Sequence, residues 1–188
     1  ISTSAHQLDT EYSKEFTDLI EHVYGTELLS QGGTESIDLM VEGLDLDGKR
    51  LLDIGSGLGG VDFYLATKYN VAITGVDCVS RMVQDARERK AQHTLLGSVI
   101  FMHQEPQEIV YPFADATFDV IISKEAFLHI PDKVIVLKEL SRVLKPGGQL
   151  IILDWLVESH DLGPCITEMM EVDGLDLKML PAKNTKLI

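Results

Sequence analysis

The chain has 188 residues, with 16 Lys or Arg against 30 Asp or Glu, a formal charge of −14 and 45% apolar side chains. That composition suits one globular domain with a hydrophobic core, or one domain and a small appendage, and excludes wholesale disorder. Nucleic acid and anionic membranes are poor default partners because both select a basic footprint, although one local basic group would still hold an anionic small molecule.

Cys78 and Cys165 are too few for a disulfide scaffold or a structural zinc cluster. The six histidines are scattered without a ligand spacing such as H-E-x-x-H, so no metal site is expected. No apolar run reaches the ~18 residues of a membrane span. The polar, acidic first twenty residues do not read as a signal peptide, so cytoplasmic residence is the default expectation. Oligomeric state has no signal here.

In chain order, Phe16, Leu19, Ile20 and Val23 have the spacing of an apolar helix face. Gly32-Gly33 interrupts, and Thr34 with Ile37, Leu39, Met40 and Leu44 predicts a second helix ended by Gly48. Arg50 to Ile54 reads as a buried strand, Gly55 to Gly60 as a turn, and Val61 to Tyr69 as a helix. Val71 to Val76 is a second strand ending at Asp77, and Ser80 caps a charged helix to about Gln92. Val99 to Met102 gives a third strand and Phe118 to Ser123 a fourth. A helix over Asp132 to Leu144, the stop Pro146-Gly147-Gly148 and a fifth strand from Gln149 to Trp155 follow. A weak helical pattern through Ile166, Met169 and Met170 marks the tail. Strands separated by helices predict a doubly wound, Rossmann-like α/β fold, its mostly parallel sheet covered on both faces. The divisions are a helical lid over 1–46, a cofactor-binding core over 47–157 and a substrate-side helical segment over 158–188.

Ligands of such sheets sit beyond the carboxyl ends of the strands, where strand order reverses. Gly55-Ser56-Gly57-Leu58-Gly59-Gly60 occupies that end of the first strand. Gly55 and Gly57 allow close approach of a ligand, and Gly60 close packing of the helix start on the sheet. The run matches G-x-G-x-x-G, which does not choose between a dinucleotide and S-adenosylmethionine. Asp53, at the strand tip, opposes a diphosphate and suits an ammonium group; its alternative role is a helix cap. Asp77 offers two oxygens to the hydroxyls of an adenosine ribose, or else caps the next helix, for which Ser80 is better placed. Cys78 reads as an apolar wall for an adenine. Glu105 is either an acceptor for the adenine amino group or a solvated loop acid.

These residues resemble a known family. Asp53 to Gly60 looks like the cofactor motif of class I S-adenosylmethionine-dependent methyltransferases, and Leu144 to Gly148 like the turn before their fifth strand. Tyr24-Gly25 through Leu29-Ser30-Gln31-Gly32-Gly33 is similar to the phosphoethanolamine N-methyltransferases, which make phosphocholine by successive N-methylations. The resemblance covers residues 12 to 157. It implies S-adenosyl-L-methionine as cofactor, S-adenosyl-L-homocysteine as product and a small amine as acceptor. It places the catalytic tyrosine on Tyr12 and its histidine on His129, which by its own context is also a loop-to-helix junction residue. It puts cofactor contacts on Leu29, Ser30, Gly32, Asp53, Gly55, Ser56, Gly57, Asp77, Cys78 and Glu105, and substrate contacts on Glu125 and Trp155. The tail departs from the family: Leu162 to Leu177 holds no Arg, Lys or Tyr for a phosphate, but Glu168, Glu171, Asp173 and Asp176. A cationic or zwitterionic acceptor is therefore expected, with the last strands of the full fold lying outside this sequence. A glycine-like amine, a quinone or a sterol is the alternative acceptor, and a non-catalytic cofactor-binding regulatory module the alternative role.

Overall fold

The computed structural model describes residues 10, 12–158, 167 and 178–181. Strands β1 (Arg50–Ile54), β2 (Ala72–Asp77), β3 (Ser98–His103), β4 (Phe118–Lys124) and β5 (Leu144–Leu153) form one sheet in the order β3-β2-β1-β4-β5. Every pairing in it is parallel. Chain order reverses between β1 and β4, which opens the ligand crevice there.

Both faces of the sheet are covered, so β1 carries leucines on both. Leu51 packs with Ile73, Val99, Phe101 and Ile122 under the helices α2 (Gly33–Met40), α3 (Gly60–Lys68) and α4 (Ser80–Arg89). Leu52 faces the other way, with Val76, Ile121, Leu140 and Val143 under α5 (Lys133–Val143). The front helix α1 is Lys14–Tyr24, and short 3-10 turns lie at Lys90–Gln92 and Phe127–His129. Among the described residues no helix is long and apolar enough to cross a membrane.

Several elements differ from expectation. Among the described residues the apolar stripe of α1 is only partly covered: Leu19 is 59% and Val23 63% exposed, Phe16 and Ile20 are half-buried, and the buried residue of the helix is Thr17. The second helix ends at Met40, well before Gly48. Ser80 is the first residue of α4 and makes no cap; the N-cap is Val79, whose amide donates to Asp77 Oδ1 at 2.8 Å. Leu144 already pairs with Phe118, and the register then jumps to Val120–Gln149, so Lys145 to Gly148 bulge from an early-starting β5. Asp154 and Trp155 lie past that strand, before β6 (Leu156–Val157), which pairs with β7 (Leu180–Pro181). The helical pattern at Ile166 to Met170, and the acids Glu168, Glu171, Asp173 and Asp176, lie outside the described residues.

Candidate active site

The crevice begins at the turn after β1. Gly55 and Ser56 amides both donate to Val76 O, at 2.8 and 3.1 Å, which folds the turn over the tip of β2. Gly55 has φ +81, and a Cβ there would lie 2.2 Å from Ala126 Cβ, so only glycine fits between the β1 and β4 tips. Gly60 packs closely too, but not on the sheet: a Cβ would meet Glu27 O at 2.5 Å, so this glycine seats the front segment. Leu29 follows from that seating and lies against Gly57. Tyr12, Leu29 and Cys78 pack on Leu58, Val79 and Met82. Gly32, at φ +88, starts α2.

Asp53 and Asp77 stand at the carboxyl ends of neighbouring strands, and both are buried. Asp77 accepts the Gly57 amide on Oδ2 and the Val79 amide on Oδ1, each at 2.8 Å. The Cys78 amide faces it too, and with about four acceptor sites the carboxylate keeps capacity for a ligand hydroxyl. Burial raises its pKa, opposed by those amides and by His103. Asp53 Oδ1, both oxygens of Asp62 and Ser56 Oγ are buried without a protein partner among the described residues. Burial, then the Asp77 charge, push Asp53 up to about 7, against the pull of Lys124. Asp62, in the first turn of α3, is pushed well above the usual carboxylate range by burial and by Asp53. Lys124 is buried as well; its ammonium donates to Ser30 Oγ and, at 2.8 Å, to Gln31 O. Beside the Lys124 ammonium stand Asp53 and Glu125, and beside Asp53 stand Asp62 and Asp77, an acidic set that suits a cationic ligand and opposes a diphosphate. The orphaned oxygen of Asp53 fits the ammonium of a methionyl group.

Beyond β4 the chain brings the remaining predicted residues together. Tyr12 Oη lies 2.8 Å from His129 Nε2, across 117 positions of sequence. Burial first, and Lys133 second, lower His129 to about 4, so the imidazole is neutral near neutral pH. Glu125 holds a left-handed backbone at φ +53, strained for a side chain of this kind, with its amide on Leu153 O at 2.7 Å. Its Oε2 accepts the Trp155 indole N–H at 3.1 Å, and its Oε1 is 3.7 Å from Lys124 Nζ. Glu105 lies beside His103, whose ring reaches Cys78 O at 3.2 Å; its carboxylate is nearly half exposed and 3.9 Å from His103 Nε2. The described end of the tail returns here with positive charge. The Lys178 amide donates to Leu128 O at 2.6 Å and its carbonyl accepts from Lys133 Nζ at 2.7 Å; burial first, and the Lys178 charge after it, depress Lys133 against the pull of Asp154.

Sequence reasoning missed Lys124, Asp62 and the Lys133–Lys178 contact. Lys124 did carry a signal, a charge ending an otherwise apolar strand. Asp62 did also, as an acid within Val61 to Ala66. The partner of Lys178, Leu128, is too distant in sequence to be read. Among the described residues no cluster of three His, Cys, Asp or Glu could hold a metal ion.

The methyltransferase-domain family matches residues 45–175. Phosphoethanolamine N-methyltransferase 3 of Arabidopsis thaliana is 36% identical over 158 residues, 84% of this chain and 31% of that relative. The 27-O-demethylrifamycin SV methyltransferase of Amycolatopsis mediterranei is 33% identical over 160 residues, 79% of this chain and 58% of that one. A solved structure of Haemonchus contortus phosphoethanolamine N-methyltransferase 2, with phosphomonomethylethanolamine and S-adenosylhomocysteine, aligns with a TM-score of 0.82 at 25% identity. That alignment covers 94% of this chain and 41% of the nematode one. The chain therefore spans about a third of the plant relative and less than half of the nematode protein.

Proposed function

The chain belongs to the class I S-adenosylmethionine-dependent methyltransferases, and we propose that it methylates the nitrogen of a small amine, phosphoethanolamine or its methylated forms. The observation that carries this reading is the Tyr12–His129 contact, next along the chain to the Glu125–Trp155 pair and across the β1–β4 crevice from Asp53. An alkylammonium has no lone pair, so its proton must leave before nitrogen can attack. When bound, S-adenosylmethionine supplies a methyl group on a sulfonium centre, to which the amine must be presented in line. Neutral His129 accepts from the Tyr12 hydroxyl on Nε2 with its own hydrogen on Nδ1, or donates in the other tautomer. At a pKa of about 4 the imidazole does not retain a proton, so the pair passes it on to solvent. Glu125 attracts the ammonium and Trp155 offers it an aromatic face. Lys133, whose charge reaches His129, is the cation beside the pair that supports a phosphate on the acceptor.

The test is single-turnover methyl transfer to phosphoethanolamine, its monomethyl form, ethanolamine and glycine. Phosphorylated amines are expected to react fastest. Faster reaction of the unphosphorylated amines would overturn the acceptor assignment, and tight cofactor binding with no turnover on any amine would favour a regulatory module. Asp77→Ala should weaken S-adenosylhomocysteine binding by about tenfold to a hundredfold, since hydrogen bonds to a charged group contribute roughly 1.5–3 kcal/mol. Titration calorimetry reads it, and unchanged affinity would remove the ribose from Asp77.

A further inference from the structure

Among the described residues the front helix leaves Leu19 and Val23 of its apolar face exposed. Its described side-chain ties to α4 are polar and involve two arginines eight positions apart, Arg81 and Arg89, which lie on one side of that helix. Arg89 grips the far end of α1, donating to Glu21 Oε1 at 2.5 Å and Oε2 at 3.0 Å. Arg81 grips the near end. Its Nη2 donates to Tyr12 O at 2.6 Å and to the buried Thr17 hydroxyl at 3.2 Å, while Nη1 is held by Asp85 Oδ2 at 2.6 Å. Tyr12 precedes the N-cap Ser13, so its carbonyl lies outside the helical ladder. Fixing that carbonyl fixes the Cα from which the phenol reaches His129.

We propose that Arg81 is a positioning residue for the Tyr12–His129 pair, holding the Tyr12 backbone so that its hydroxyl meets the imidazole. The inference rests on the reading of that pair as the proton-handling groups. Arg81 suits the task because one planar fork serves three acceptors at once, whereas a lysine ammonium reaching the same carbonyl would leave the fork geometry unfilled. Arg81 also stands in the first turn of α4, whose entry is fixed by the Val79 amide on Asp77. The Tyr12 contact is thus tied to the carboxylate assigned to the ribose, and closing the front segment and seating the cofactor act on one rigid element.

The test compares the full chain with Arg81→Met, Arg81→Lys, Tyr12→Phe and the Arg81→Met/Tyr12→Phe double variant. The first measurement is the nitrogen and proton NMR signature of the His129 ring. Arg81→Met should move it as Tyr12→Phe does, the double variant should move it no further, and Arg81→Lys should restore it in part. The second measurement is single-turnover transfer to phosphoethanolamine. Arg81→Met should slow it by about tenfold to a hundredfold, the order expected of a group displaced by an ångström. S-adenosylhomocysteine affinity should stay within about twofold, and Tyr12→Phe should add nothing on the Arg81→Met background. Glu21→Gln, which frees the opposite end of α1, should leave the His129 ring signals in place. A His129 signature untouched by Arg81→Met, or rate effects that multiply, would overturn the positioning role; if Arg81→Met does not fold, the same criteria apply to Arg81→Lys. Coincident ring signatures with normal turnover in Tyr12→Phe would keep the positioning role and discard the pair as the reacting groups.

Discussion

His129→Ala is expected to lower the single-turnover rate of methyl transfer by about a hundredfold to ten-thousandfold, the usual contribution of a positioned proton acceptor. S-adenosylhomocysteine affinity should be nearly unchanged, because the described contacts of His129 are to Tyr12 and the adjoining turn and not to the Asp53–Asp77 crevice. The pH dependence separates proton handling from lid closure. Burial and Lys133 lower His129 to about 4, so the wild-type profile should show no limb near the ordinary histidine value of about 6.5. The rise with pH belongs to the alanine variant, whose acceptor must lose its own proton to solvent, and an ordinary alkylammonium does so near about 10.4. The alanine variant should then approach wild type at high pH, where solvent has already removed that proton. Tyr12→Phe should cost less, since it removes one hydrogen bond and keeps the ring. Equal losses in both variants, unmoved by pH, would mean that the pair only holds the front segment shut.

The fold was legible because its signals are local. Continuous apolar runs bounded by glycine turns predict buried parallel strands, and Asp53 and Asp77 end two of them. Tyr12 and His129 were legible only through resemblance, since no periodicity connects positions 117 apart. The α1 stripe shows the limit of periodicity. Phe16, Leu19, Ile20 and Val23 specify a helix, but what covers its face depends on elements elsewhere in the chain, and here Arg81 and Arg89 dock it by its polar side. Gly60 carries the same lesson: glycine reports that a backbone comes close, and not which one. Lys124 was visible as a charge at a strand end, yet its acceptors Ser30 and Gln31 are some ninety positions back, so its tie to the front segment needed the fold.

The second large effect concerns Asp53, whose affinity for a cationic cofactor should depend on pH because its carboxyl must first be ionised. Burial and Asp77 push it up to about 7, and Lys124 beside it offsets only part of that. Below that value the ligand-free protein holds a proton on Asp53. An ammonium partner favours the carboxylate, so binding S-adenosylhomocysteine should expel the proton. Affinity should therefore rise by up to about tenfold per pH unit towards pH ~7 and then level. Calorimetry at pH 6, in two buffers of different ionisation enthalpy, should find close to one proton released. Asp53→Asn should abolish that release and weaken binding at pH 8 by about tenfold to a hundredfold, the value of a hydrogen bond to a charged group. The loss should shrink at acid pH, where the wild-type carboxyl is neutral as well. Stability of the ligand-free protein carries the opposite sign. Between the ordinary aspartate value of 3.8 and about 7 the folded chain binds the Asp53 proton and the unfolded chain does not, so this group's contribution falls as pH rises through that window. His129 opposes it: its depressed value stabilises the fold above 6.5, a contribution lost as pH falls towards about 4. Asp62 and Asp77 are raised as well and carry the sign of Asp53, so Asp53→Asn should remove only this group's share, tilting Tm upward from pH 4 to 6.5 relative to wild type. A wild-type affinity that stays flat from pH 5.5 to 8, or an asparagine variant that keeps the slope, would remove the proton from Asp53 and leave its unpartnered oxygen to water.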